Sequence, residues 1–179
     1  MRTFTPESAN EFYRSFLEFF CSWFRPDSYL EIGLSSGFTF RRLMPFCGRM
    51  DGVDPAVPSL PHLDPKCRLF PMTSDEFFRR HPDERYDLVF IDGCHEHRQV
   101  LRDVRNSLAC LASNGVIVAH DMLPPSREVT DPGGCGDAYK AAIELRQDRS
   151  LEVFTLPVMY GVTLIGNIGS AFPWAPLEE

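Results

Sequence analysis

The chain has 179 residues, 44% of them hydrophobic and 24% charged, a composition that excludes a disordered chain. The formal net charge is −7 and basic residues occur only as isolated pairs such as Arg41-Arg42 and Arg79-Arg80, which argues against nucleic acid as the main partner. No apolar run reaches the roughly 20 residues that cross a bilayer, and the polar Met1–Asn10 segment lacks the apolar block of a secretory leader. No membrane partner is expected, and a cytoplasmic location is.

Glu7–Trp23 places Phe12, Phe16, Phe19, Phe20 and Trp23 near a helical repeat. It predicts an N-terminal helix within residues 1–26 that packs on the domain formed by 27–179; a homodimer contact is the alternative use of its aromatic residues. Strands are expected at Tyr29–Gly33, Met50–Asp54, Cys67–Pro71, Asp87–Asp92, Gly115–His120, Leu151–Leu156 and Gly161–Ile165. Asp87–Asp92 and Gly115–His120 carry continuous apolar runs, the pattern of parallel strands covered on both faces. Helices are expected at Ser36–Phe46, Ser74–His81, Glu96–Leu111 and Gly136–Arg149, with Ser74 as an N-cap ahead of Asp75 and Glu76.

This alternation predicts one α/β domain, a Rossmann-like, doubly wound sheet of seven strands with helices on both faces. Only Pro157–Tyr160 separates the last two strands, too short for a parallel crossover, so they should form an antiparallel hairpin at one edge. Leu123–Cys135, rich in Pro and Gly, reads as a loop overhanging the ligand crevice. The six cysteines show no C-x-x-C spacing and read as reduced, mostly buried thiols.

Four segments carry chemistry. In Tyr29-Leu-Glu-Ile-Gly-Leu-Ser-Ser-Gly37 a buried strand ends at Gly33 and turns into a helix at Gly37. Ser35 occupies the middle glycine position of a dinucleotide turn, and Glu31 would repel a pyrophosphate but suits a ligand bearing an ammonium group. Asp54, at the tip of the second strand, is placed to accept ribose hydroxyls. Asp92 ends Tyr86-Asp-Leu-Val-Phe-Ile-Asp92, with His95 and His97 just beyond, and His120-Asp121 ends the neighbouring strand. These strand tips can meet in space.

Together, Glu31-x-Gly33-x-Ser35-x-Gly37, Asp54, the Asp-Leu-Val-Phe-Ile-Asp-Gly-x-His run and His120-Asp121 resemble class I S-adenosylmethionine (SAM)-dependent methyltransferases. The closest likeness is to the small-molecule group of macrocin O-methyltransferase and cephalosporin hydroxylase-like proteins, over about Tyr29 to Gly166. The resemblance implies that Glu31, Gly33, Ser35 and Gly37 border the methionine half of SAM, Asp54 the ribose, Ser74 the adenine and Asp92 the reacting methyl. It also implies that any divalent metal binds at Asp92, Asp121 and the residue before it. That residue is His120 here, and a His/Asp set suits Mn²⁺, Fe²⁺ or Zn²⁺ better than Mg²⁺.

The expected reaction is in-line methyl transfer to a small-molecule acceptor, at a hydroxyl oxygen, with His95 or His120 as general base. Two other readings remain open at this point: an NAD-dependent oxidoreductase, and a non-catalytic SAM-binding protein of the same fold.

Overall fold

A computed structural model describes residues 6–131, 133–158 and 160–169, with side chains from residue 11 onward. Residues 1–5 and 170–179 of the two expected segments, Pro132 of the loop and Met159 of the hairpin connection lie outside the described residues.

The strands are β1 (Ser28–Ile32), β2 (Arg49–Val53), β3 (Cys67–Phe70), β4 (Tyr86–Ile91), β5 (Leu111–Ala119), β6 (Leu151–Leu156) and β7 (Val162–Asn167). They form one seven-stranded sheet in the order β3-β2-β1-β4-β5-β7-β6. The first five are parallel, while β7 runs antiparallel to both β5 and β6. The helices are α1 (Pro6–Phe24), α2 (Phe38–Leu43), α3 (Ser74–Arg80), α4 (His97–Ala109) and α5 (Tyr139–Leu145). This is the expected doubly wound architecture with its terminal hairpin.

Side-chain alternation explains why the apolar runs are continuous. Leu30, Ile32, Val89, Ile91 and Ile117 pack with α3, α4 and α5, whereas Tyr29, Leu88, Phe90, Val116 and Val118 pack with α1 and α2. Tyr13, Leu17, Phe20 and Cys21 form the buried stripe of α1; Phe12, Phe19 and Trp23 stay exposed on its other side. Arg42 of α2 ties α1 down further, with hydrogen bonds of 2.6 Å to both Glu11 and Glu18.

Residues 54–66, which include Pro55, Pro58, Pro61 and Pro65, cross from β2 to β3 without a helix, since proline lacks the backbone donor a helix interior needs. Some boundaries differ from expectation. Helix α4 stops at Ala109, and Leu111 already pairs with Tyr86 in the sheet. The register then jumps to Leu88↔Val116, so residues between bulge out. The N-cap of α3 is Thr73, not Ser74: its side chain accepts from the Glu76 amide at 3.2 Å. Cys21, Cys47, Cys110 and Cys135 are buried free thiols, while Cys94 is exposed.

Candidate active site

Chain progression leads from β1 outward through β2 and β3, then returns to β4 on the other side of β1. The β1/β4 boundary is therefore the switch point, and a crevice belongs beyond its carboxyl ends. Gly33 closes β1 there with φ of 90°, and a Cβ at this position would overlap the Asp92 carbonyl and Gly93 Cα. Only glycine lets the two strand tips touch, and they form a ridge. Two clefts flank it, both lined by Gly33, Ser35, Asp92 and Gly93.

The first cleft, about 460 Å³, is bordered by Asp54, Thr73, Ser74, Asp75, Gln99 and Asp103. Asp54 Oδ2 accepts from the amides of Leu34 (2.8 Å) and Ser35 (3.2 Å), and Oδ1 accepts from Ala56 at 2.8 Å. The carboxylate thus fixes the glycine turn, in which Ser35 itself adopts φ of 48°, a region a side chain seldom enters. Gln99 Nε2 donates to Asp103 at 3.0 Å and to Ser74 Oγ at 3.3 Å. Gly37 (φ 70°) is buried under Leu60 and lies on the wall of neither cleft.

The second cleft, about 560 Å³, holds Glu31 and the charged cluster. Glu31 is 1% exposed and accepts a 2.6 Å hydrogen bond from the Tyr29 hydroxyl. Burial pushes its carboxyl up to about 8 against that bond, and the charge of Asp92 adds to the rise.

Asp92, His95, His120 and Asp121 come together as expected. His95 Nε2 lies 3.3 Å from Asp121 Oδ2 and 3.6 Å from Asp92 Oδ1; His120 Nδ1 lies 3.2 Å from Asp92 and 3.3 Å from Asp121. The β4–β5 register sets this meeting, because Ile91 pairs with Ala119 and puts Asp92 beside His120. Burial alone would raise Asp92, but His120 and His95 outweigh it and hold the carboxyl well below the usual range. The bond to Asp92, with Asp121 and the Gly134 carbonyl, holds the His95 imidazole at about 9 against burial. Asp121 is raised, chiefly by burial, and accepts from the Cys135 thiol at 3.3 Å.

The cluster regroups the expected metal ligands. One ligand atom each from Asp92, His95 and Asp121 lies within 4.8 Å of the others, so His95 joins the pair that the resemblance had completed with His120. His95 Nδ1 meets the Gly134 carbonyl at 2.6 Å. A carbonyl can only accept, so Nδ1 carries the hydrogen and Nε2 faces the carboxylates.

Sequence reasoning missed three contributors. Gly134 comes from the Leu123–Cys135 loop, which overhangs this cleft through Val129, Gly133, Gly134 and Cys135. The Tyr13 ring of α1 lies against His120, tilted by 37° with centroids 4.2 Å apart. Arg14 lines the same cleft. The apolar stripe of α1 could have pointed to Tyr13, since Tyr13, Leu17 and Phe20 are spaced four and three apart.

Comparisons with known proteins bear on this geometry. No curated protein matches in sequence. Solved structures do match in fold. The S-adenosylhomocysteine (SAH)-bound Podospora anserina methyltransferase PaMTH1 aligns at TM-score 0.71 with 19% identity, over 87% of this chain and 77% of that one. A Bacillus cereus O-methyltransferase in complex with SAH aligns at 0.66 with 14% identity, over 87% and 80%. TomG from Streptomyces achromogenes, an O-methyltransferase of tomaymycin synthesis in complex with SAM, aligns at 0.67 with 14% identity, over 88% and 80%. A family model described as a methyltransferase domain matches residues 30–122, the span from β1 through the β5 tip that carries Glu31, Asp54, Asp92, His95 and His120-Asp121. The chain belongs to this methyltransferase family.

Proposed function

We propose that the chain moves the methyl group of SAM to a hydroxyl oxygen of a small-molecule acceptor. The observation that carries this reading is that Asp92 lines both clefts, so a ligand spanning the ridge passes directly over the charged cluster. The nucleoside half would occupy the smaller cleft, with Asp54 toward the ribose and Ser74 toward the adenine. The amino-acid half would cross Gly33 and Ser35 into the larger one, where Glu31 lies. The methyl would then face Asp92, His95 and His120.

The reaction is an in-line displacement. The acceptor oxygen bonds to the methyl carbon, the carbon–sulfur bond breaks to leave SAH, and the hydroxyl proton passes to a base. His95 and His120 both lie against the Asp92 and Asp121 carboxylates, and either takes that proton once it is neutral; the Tyr13 ring, with its centroid 4.2 Å from that of His120, helps fix the second of them. The carboxylates favour the protonated imidazole and hold His95 charged up to about 9.

Asp92, His95 and Asp121 also fit a divalent cation: two carboxylates and one imidazole, with the imidazole's tautomer set by Gly134. Such an ion would lower the pKa of an acceptor hydroxyl. The mixed donors favour Mn²⁺, Fe²⁺ or Zn²⁺ over Mg²⁺.

Thermal unfolding with SAM, SAH, NADH, Mn²⁺, Zn²⁺ and Mg²⁺, followed by labelled methyl transfer to a panel of hydroxylated metabolites, tests this. Saturating SAH at 100 times its Kd should add about 2.7 kcal/mol of stability. Stabilisation by NADH and none by SAH would overturn the reading.

A further inference from the structure

Arg14 lines the larger cleft and forms no ion pair among the described residues. It is the only Arg or Lys among the described residues lining that cleft. Its guanidinium carbon sits 4.7 Å from the Phe38 ring centroid and 5.4 Å from that of Tyr13. Its Nε is buried and has no hydrogen-bond partner among the described residues. The nearby carboxylates of α1, Glu11 and Glu18, are taken by Arg42. A buried guanidinium donor left without an acceptor costs free energy, and the aromatic slot fixes where the planar fork lies.

The same cleft holds one buried carboxyl outside the charged cluster, Glu31, together with Ser35, Ser36 and Thr39 at the turn into α2. A guanidinium and a carboxyl lining one cleft complement the carboxylate and the ammonium of an α-amino acid, whose positive charge would favour the ionised form of Glu31. We propose that Arg14 takes the α-carboxylate of the bound methionine moiety and Glu31 its α-ammonium, so that the pair sets how far SAM slides across the ridge. This rests on the reading that the amino-acid end of SAM enters the larger cleft. A carboxylate carried by the acceptor is the other source of the same chemistry, and the experiment separates the two.

Isothermal titration of the full chain, wild type, Arg14→Gln and Arg14→Lys, with SAH and with 5′-methylthioadenosine is the test. Methylthioadenosine keeps the nucleoside and thioether but lacks the amino-acid end. Wild type should bind SAH at least tenfold more tightly than methylthioadenosine. Arg14→Gln should weaken SAH tenfold or more and leave methylthioadenosine within twofold, because a bidentate, charge-assisted contact is lost. Arg14→Lys, which keeps the charge and guards against a folding defect, should lose only part of that affinity. Unchanged SAH binding in Arg14→Gln overturns the assignment and leaves the acceptor as the source of any anion. Equal losses for both ligands overturn it as well, since they mark a structural role. A wild type that binds neither ligand sinks the cofactor reading itself, and the Arg14 assignment with it.

Discussion

The two clefts beside the Gly33–Gly93 ridge share a strand tip yet are held together differently. In the smaller cleft, side-chain acceptors bind backbone amides close by: Asp54 holds Leu34, Ser35 and Ala56, and Thr73 caps α3. In the larger cleft, Asp92, His95, His120 and Asp121 pair with one another across two strands, the histidines holding Asp92 down and Asp92 holding His95 up. The first arrangement is a local property of two turns. The second exists only if β4 and β5 pair in one register, because a slip of one residue would turn His120 to the other face. A hydrogen-bonded turn can be built from short-range geometry, whereas a cluster of charges draws its balance from distant parts of the chain.

The severest way to break the comparison is to remove what the clefts share. A valine at Gly33 would need a left-handed φ that a β-branched residue rarely adopts, and its Cβ would run into the Asp92–Gly93 backbone. Gly33→Val should therefore lose on the order of 3 kcal/mol or more of stability. It should also abolish both SAH binding and divalent-ion binding, as read by chemical denaturation and titration. A variant that keeps either ligand would show that the clefts do not depend on one ridge.

The smaller cleft was the more legible in the sequence, for the same reason. Gly33, Asp54 and the apolar runs lie in short contiguous segments whose turn chemistry and alternation speak for themselves. The seven strands and the antiparallel terminal hairpin followed from the spacing of those runs and the short terminal connection. One boundary failed where long-range pairing decides, since α4 gave up Leu111 to the sheet, and one failed locally, where Thr73 took the cap expected of Ser74. In the charged cluster the participants were visible but their partners were not. No periodicity links His95 to the Gly134 carbonyl, 39 residues on, or places Arg14 between Tyr13 and Phe38.

A crossed pair of variants sharpens the contrast with a smaller effect. Asp54→Ala strips the acceptor from three amides, those of Leu34, Ser35 and Ala56, and removes any ribose contact. It should weaken SAH about tenfold or more, while Mn²⁺ affinity stays within about twofold. His95→Gln should do the reverse, lowering Mn²⁺ affinity about 10- to 100-fold with SAH nearly unchanged. Titration of both ligands against both proteins gives a two-by-two result. Parallel losses in either variant would mean the clefts act as one site.

The smallest expected effect concerns Glu31, the buried carboxyl of the larger cleft. In the folded chain this carboxyl holds its proton up to about 8, whereas in the unfolded chain it releases it near its ordinary value of 4.5. Between those values the unfolded state binds fewer protons, so stability falls as pH rises and levels off above about 8. Glu31→Gln has no proton to release and can still accept the Tyr29 hydroxyl, so it should escape that part of the slope. Urea denaturation at pH 5.5, 6.5 and 7.5 should show wild type losing about 2 kcal/mol relative to the variant across the range. The sign should invert for ligand binding. An ammonium group facing Glu31 favours its ionised form, so SAH should bind wild type more tightly as pH rises toward 8 and bind Glu31→Gln with little change. Superimposable stability curves for the two proteins would mean that Glu31 is ionised in the fold, and that its burial is compensated by contacts other than Tyr29.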